Sequence, residues 1–135
     1  MCIRDSHIGV YNLVCIGLNS DAWLYRKKGY VFMPYEERKE ILENVASVHK
    51  VISFDDSDES SCDAIQRCVG HYEFVDKIIF CNGGDRIKTN IPEILGYGDD
   101  PRVEFKFGIG GEDKMNRSSW ILHNYFNRQR KILGI

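Results

Sequence analysis

The sequence predicts an α/β protein built on a doubly wound parallel sheet. Short, nearly continuously apolar runs alternate with longer segments whose apolar residues recur at helical spacing. Strands that alternate with helices in this way favour parallel pairing through crossover connections. The chain has 135 residues, of which 43% are hydrophobic, so it can bury one core and is too short for two. We therefore expect a single domain.

Four apolar runs are the predicted strands. The first is apolar at nearly every position, which is typical of a strand covered on both faces. The runs are YNLVCIGL (11–18), KVISF (50–54), KIIFCNGG (77–84) and VEFKFGI (103–109). Residues 1–8 show no strand periodicity, and we interpret them as a non-native N-terminal extension ahead of a domain at 9–135.

Helical patterns lie between and after these strands. Segment 33–48 has Pro34 near its start and acids in its first turn, and segment 62–71 follows the acidic stretch DDSDESS, which we interpret as a solvated loop that can cap it. One helical turn is predicted at 92–97 and an amphipathic helix at 118–133. The expected core-facing residues are Ile41, Leu42, Val45 and Val48, then Ile65, Cys68 and Val69, and finally Ile121, Leu122, Tyr125, Phe126, Ile132 and Leu133.

Composition and charge narrow the classes of partner. The net charge of −2 and the pI near 6.1 provide no broad cationic surface for a nucleic-acid backbone. No apolar run approaches the roughly 20 residues that span a bilayer, so we expect no membrane contact. The five cysteines form no CxxC pair and lie mostly in apolar runs, which indicates a reducing cytoplasm without a zinc site or disulfide framework.

Polar residues follow the predicted strands at their carboxyl ends. Asp21 and the cations Lys27 and Lys28 come after the first strand, in what we read as an acid at the strand end and a cationic loop. CNGGDR follows the third strand, and GIGGEDKMNRSS follows the fourth. Ligands of open parallel sheets bind outside the carboxyl ends of the strands. We therefore expect these three loops to converge on one rim.

Taken together, these motifs resemble the cytidylyltransferase-like nucleotidyltransferase superfamily. The stretches that carry the resemblance are GLNSDAWLYRKKG, PYEERKEILENVASVHKVISF, NGGDR and GGEDKMNRSSWIL. The sequence is similar to glycerol-3-phosphate cytidylyltransferases and heptose-1-phosphate adenylyltransferases over about 11–122. This resemblance implies a Rossmann-like fold of the nucleotidyltransferase type. It also implies Mg²⁺, a nucleoside triphosphate (CTP or ATP) and a phosphorylated small molecule as ligands, and it leaves a homodimer open.

The resemblance also implies roles for individual residues. Lys27 matches a lysine that reaches the phosphates, and Arg38 matches an arginine on the following helix that faces the active-site rim, so both are expected to be catalytic. The nucleotide-binding set comprises Asp21, Gly83, Asp85, Ser118 and Ser119, with no residue assigned to a metal.

Each of these roles has a local alternative. Lys27 can be part of a solvated loop, Asp21 can close an Asx-turn, and Gly83 can be an ordinary turn glycine. Arg38 can pair with Glu40 or Glu43 on its own helix. The two serines can serve as a helix N-cap, which is compatible with phosphate binding at the same helix end.

The sequence departs from the family pattern at one motif that the family needs for catalysis. The histidine-x-glycine-histidine motif that follows the family's first strand is missing, and His7 is not a substitute for it. The domain at 9–135 is therefore expected to lack its first strand and helix and to be inactive as it stands. For the intact parent, the expected reaction transfers CMP, in preference to AMP, to a sugar or alditol phosphate with release of pyrophosphate. The alternatives are a non-catalytic nucleotide-binding module, a heptose-1-phosphate adenylyltransferase and a flavodoxin-like signalling domain.

Overall fold

The computed structural model describes residues 2–5, 11–83, 86, 87, 89, 91–110 and 118–135. Strands and helices alternate along the chain, which confirms the α/β prediction. The strands are β1 (Cys2–Asp5), β2 (Tyr11–Leu18), β3 (Lys50–Ser53), β4 (Lys77–Cys81) and β5 (Val103–Lys106). The helices are α1 (Asp21–Lys28), α2 (Tyr35–Glu43), α3 (Cys62–His71), α4 (Glu93–Tyr97) and α5 (Ser118–Leu133).

The five strands form one sheet in the order β3-β2-β1-β4-β5. The pairs β2–β3 and β4–β5 are parallel, whereas β1 is antiparallel to both of its neighbours, so the prediction of an entirely parallel sheet is wrong. Only five residues separate β1 from β2, which suffices for antiparallel neighbours and is too short for a parallel crossover. Since β1 opposes both neighbours, β2, β3, β4 and β5 all run in the same direction.

Strand β1 corrects the expectation that residues 1–8 contain no strand. It occupies the centre of the sheet, but it covers only the amino-terminal part of its neighbours, because Cys2 lies opposite Val14 and Ile79. Within the described residues, 15–18 of β2 and 80–81 of β4 therefore have no partner on their β1 side. A gap is left between β2 and β4 at their carboxyl ends.

The core lies between β2, β4 and α3. It contains Cys15, Cys68, Val75 and Ile78, all nearly inaccessible to solvent. Helix α3 buries Ile65 and Cys68 as predicted, with Ala64 beside them. This apolar contact holds α3 against the sheet. It thereby also fixes the position at which the loop before α3 joins the helix.

Helices α2 and α5 are less buried than their sequences predict. α2 ends at Glu43 instead of residue 48, and Ile41 and Val45 are exposed. The predicted inner face of α5 is largely exposed at Ile121, Tyr125, Phe126, Ile132 and Leu133, so its packing against the core is a wrong prediction. Amphipathic periodicity specifies an apolar face without specifying what covers it. None of the described helices has the length and hydrophobicity that crossing a membrane requires.

Candidate functional site

The segment after β2 is a helix, not the cationic loop that we predict from its charges. Ser20 is the N-cap of α1, since its Oγ accepts a hydrogen bond from the Trp23 N–H at 3.0 Å. Gly29 ends the helix in a left-handed conformation, with φ of 80°. An acid in the first turn and bases in the last suit the helix dipole, which accounts for the charge pattern.

Asp56 joins the carboxyl ends of β2 and β3. Its side chain is 4% exposed and accepts hydrogen bonds from the Ser20 N–H and Ser20 Oγ, both at 2.7 Å, and from Asn19 Nδ2 at 3.3 Å. Arg26 Nη2 donates to the backbone carbonyl of Asp56 at 2.8 Å. The interpretation of residues 55–61 as a wholly solvated loop is therefore wrong at Asp56, which organises the start of α1.

Arg38 makes three directed contacts at the same rim. Its Nη1 donates to the carbonyl of Asn19 and its Nε to the carbonyl of Met33, each at 2.9 Å, while Nη2 donates to the carboxylate of Asp21. Its side chain is only 17% exposed. A guanidinium has five N–H donors, so two remain for a ligand.

Asp21 links the start of α1 to α2 through two contacts, one with Arg38 and one with the first residue of α2. Its second carboxylate oxygen accepts from the Tyr35 N–H at 3.1 Å. The hydrogen bond from Arg38 lowers the pKa of the Asp21 carboxyl, and the Tyr35 N–H acts in the same direction. The structure thus brings Asp21 and Arg38 together, whereas the alternatives of an Asx-turn at Asp21 and an Arg38 pair with Glu40 or Glu43 are wrong.

Lys27 lies apart from this cluster. It is near the end of α1, about 9 Å farther along the helix axis than Asp21. Its ammonium sits 4.4 Å from the centre of the Trp23 ring. A cavity of about 280 Å³ is lined by Lys28 and Arg38 together with Leu24, Tyr30, Phe32 and Met33. Lys28, rather than Lys27, therefore shares a cavity with Arg38. The sequence does not predict this, because the helical phase of α1 decides which of the two adjacent lysines faces the cavity.

The carboxyl end of β4 is built differently. Asn82 is 8% exposed, and its backbone is fixed by hydrogen bonds to Lys106 and Ile109, at 2.8 Å and 3.1 Å. Its side-chain nitrogen finds no partner among the described residues. A Cβ at Gly83 would lie 2.9 Å from the Ile109 carbonyl oxygen, so this position admits no side chain without rearrangement. Asp85 lies outside the described residues.

Ser118 and Ser119 open α5 at the predicted position. Ser119 is exposed, and the hydrogen bonds that organise the ends of β2 and β3 do not include it. Residues 111–117, which connect β5 to this helix, lie outside the described part of the chain. The two serines therefore mark a helix start whose relation to the rim is still a prediction.

The acids near the rim are poor candidates for a magnesium site. Both carboxylate oxygens of Asp21 and both of Asp56 already accept hydrogen bonds from protein donors. In the described part of the chain, no group of three or more His, Cys, Asp or Glu side chains could hold a metal ion. The described side chains thus do not fit a protein-held Mg²⁺.

A scan of protein-family models and searches of curated proteins and of solved structures found no match to this chain. Its function is therefore inferred from the residues and their geometry.

Proposed function

We propose that this chain carries the nucleotide-binding part of a nucleotidyltransferase with a Rossmann-like, doubly wound architecture. The reaction transfers a nucleotidyl group, CMP in preference to AMP, from a nucleoside triphosphate to a sugar or alditol phosphate. The observation that carries the proposal is the reversal of strand order between β2 and β4, which run in the same direction. Ligands of open α/β sheets bind at the carboxyl ends of strands beside such a reversal.

The two sides of this reversal offer complementary groups to a nucleotide. The β2 side supplies the start of α1 and the two remaining donors of Arg38. The β4 side supplies the amide nitrogen of Asn82, which has no partner among the described residues. Two strand spacings separate β2 from β4, which is about 10 Å. A nucleotide can bridge this distance with its phosphates toward Arg38 and its base toward Asn82.

Both lysines at the end of α1 are candidates for phosphate binding. Lys28 already lines the cavity that contains Arg38. Lys27 reaches a triphosphate only by leaving the Trp23 ring, an exposed cation–π contact that stabilises by about 0.5–1 kcal/mol. This cost is small beside the attraction between an ammonium and a triphosphate, so Lys27 keeps the phosphate-binding role that the family resemblance implies.

The chemistry requires positioning more than covalent participation. A phosphate oxygen of the acceptor attacks the α-phosphorus, a new P–O bond forms in line, and the bond to the β-phosphate oxygen breaks to release pyrophosphate. Cationic donors stabilise the charge that spreads over the transferring group. We propose Mg²⁺ only as an ion that arrives with the triphosphate oxygens, since the described carboxylates are already engaged.

Titration calorimetry with CTP and ATP, with GTP and UTP as controls, tests the proposal. We expect CTP to bind more tightly than ATP. We also expect Lys28→Ala and Lys27→Ala each to weaken CTP binding several-fold, since Lys28 lines the cavity that contains Arg38 and Lys27 has the phosphate role that the resemblance implies. Ser119→Asp tests the predicted phosphate role of the α5 start, because an acid there suits the helix and repels phosphate. Binding of none of the four nucleotides would overturn the proposal.

A second candidate is a non-catalytic nucleotide-binding module. The observation that favours it is that the charged rim residues Asp21 and Arg38 are already bound to each other and to backbone groups, which suits a rigid binding surface. Pyrophosphate release from CTP or ATP in the presence of sugar and alditol phosphates separates the candidates. Binding without release favours the module, and binding with release favours the transferase.

A further inference from the structure

We infer that Cys15 and Cys68 are a redox modification site, at which hydrogen peroxide closes a reversible disulfide between β2 and α3. The two sulfur atoms lie 3.9 Å apart, and each residue is 1% exposed. Cys15 is in the middle of β2 and Cys68 is in the second half of α3, so the bond would join two elements that are distant in sequence. This inference does not depend on the proposed nucleotide site.

The packing around the pair permits the bond. A disulfide needs a sulfur–sulfur distance of about 2.05 Å, so the sulfurs must approach by roughly 1.9 Å. Small residues keep β2 and α3 close together nearby, since a Cβ built on Gly17 would lie 3.3 Å from Ala64 Cβ. The Phe54 ring packs at the same distance beside this contact, and rotation of the cysteine side chains can supply the remaining approach.

The electrostatics of the pair supply a reactive sulfur. The Cys68 thiol donates a hydrogen bond to the Cys15 sulfur, which lowers the pKa of Cys15 below its ordinary value, and the Lys50 ammonium acts in the same direction. The same interaction and burial raise the pKa of Cys68. Of the two sulfurs, Cys15 is therefore the one that loses its proton more readily.

A groove gives a small oxidant a route to the pair. Cys68 lines a groove of about 590 Å³ that runs along β3, with His71 and Tyr72 beside it. β3 is the edge strand of the sheet, and α2 and α3 also contribute residues to the lining of this groove. Hydrogen peroxide is small enough to enter this groove, and because both cysteines are 1% exposed, it reaches the sulfurs when β2 and α3 open locally.

The reaction balances in two steps. The Cys15 thiolate attacks one peroxide oxygen, the O–O bond breaks, and the released hydroxide takes a proton to become water, which leaves Cys15 as a sulfenic acid. The Cys68 sulfur then attacks the sulfenic sulfur, the S–O bond breaks, and the departing hydroxyl leaves as water with the Cys68 proton. The two thiols lose two electrons, and one peroxide is reduced to two waters.

The first test locates the bond in the whole chain. Protein is treated with hydrogen peroxide, quenched with N-ethylmaleimide and digested with trypsin. We expect a cross-link between the peptides 5–26 and 68–77, lost after treatment with dithiothreitol, while Cys62 remains open to N-ethylmaleimide. Oxidation that leaves Cys15 and Cys68 unlinked, or links either one to another cysteine, would overturn the inference.

The second test measures the consequence for stability. The bond closes a loop over a sequence separation of 53 residues, so we expect the melting temperature to rise by about 10 °C on oxidation. Cys15→Ala and Cys68→Ala should abolish this rise, and the matched variant Cys62→Ala should keep it. If an alanine variant does not fold, the cross-link map of the unaltered chain still decides. An unchanged melting temperature in the cross-linked protein would contradict the native geometry assigned to the bond.

Discussion

The carboxyl ends of β2 and β4 lie at the same end of the sheet, yet their buried polar groups differ in hydrogen bonding. At β2 the carboxylates of Asp21 and Asp56 are satisfied by neighbouring protein donors. At β4 the buried nitrogen of Asn82 has no partner among the described residues. A satisfied network contributes stability, whereas an unpaired buried donor costs it and keeps hydrogen-bonding capacity for a ligand. The β2 end is therefore a rigid support, and the β4 end is where we expect recognition.

The largest expected effect comes from removing the centre of the β2 network. Asp56→Ala leaves the Ser20 donors and Asn19 Nδ2 without their acceptor, and unpaired buried groups cost about 1–3 kcal/mol each. We expect a loss of about 3 kcal/mol in the free energy of unfolding, measured in urea. Glu59→Gln is the control, because it removes only an exposed pair with Arg26 and should cost less than about 1 kcal/mol. Similar losses in the two variants would mean that the network does not support the β2 end.

The next effect concerns Arg38, whose three contacts need a planar fork. A lysine cannot donate at once to the Asn19 carbonyl, the Met33 carbonyl and Asp21, so Arg38→Lys should lose about 2 kcal/mol in urea unfolding. Lys39→Met is the comparison on the same helix, because Lys39 makes only an exposed pair with Glu43 and should change stability little. If Arg38→Lys is as stable as Lys39→Met, the three hydrogen bonds of Arg38 do not contribute measurably to stability.

Replacing Asn82 should change the free energy of unfolding in the opposite direction. Replacing an unpaired buried amide by an apolar group of similar volume removes a desolvation cost, so Asn82→Leu should raise the free energy of unfolding by about 1 kcal/mol or leave it unchanged. The same variant should weaken nucleotide binding in titration calorimetry. A loss of stability without any change in nucleotide binding would contradict the proposed difference between the carboxyl ends of β2 and β4.

The smallest expected effect is a pH dependence at Asp21. Arg38 lowers the pKa of this carboxyl in the folded protein, so the folded state holds its proton more weakly than the unfolded chain does. The stabilisation is complete above the unfolded value near 3.8 and is lost as the pH falls through the folded pKa. Asp21→Asn should therefore flatten the acid limb of stability measured by urea midpoints between pH 7 and pH 2. An acid limb identical to that of the unaltered chain would show that this pair does not couple folding to pH.

Local sequence patterns predict most of the secondary structure. The apolar run at residues 11–18 is β2 with the predicted bounds, and the spacing of Ile65 and Cys68 identifies the buried face of α3. The ends of α1 were also readable, since Ser20 and Gly29 are strong helix caps. The clustered charges of this segment also suit a solvated loop, so the charge pattern alone does not identify the helix, whereas the two caps do.

Tertiary contacts decide the rest. Nothing near Asp56 in sequence distinguishes it from Asp55 or Asp58, and it becomes buried only because β2 brings Asn19 and Ser20 beside it. The partner of Arg38 is likewise 17 residues away, at Asp21, rather than one helical turn away. The apolar face of α5 shows the converse case, in which a clear periodic pattern does not produce burial.

The position of β1 has a consequence for how the molecule opens. It is the only described strand that connects the β2–β3 pair to the β4–β5 pair, and it does so with four residues. Its pairing with β2 is local in sequence and can form quickly, whereas its pairing with β4 closes a loop of more than 70 residues and must form late. Because the core that α3 forms with β2 and β4 holds those two strands together, amide hydrogen exchange should show the four residues of β1 opening before either of its neighbours.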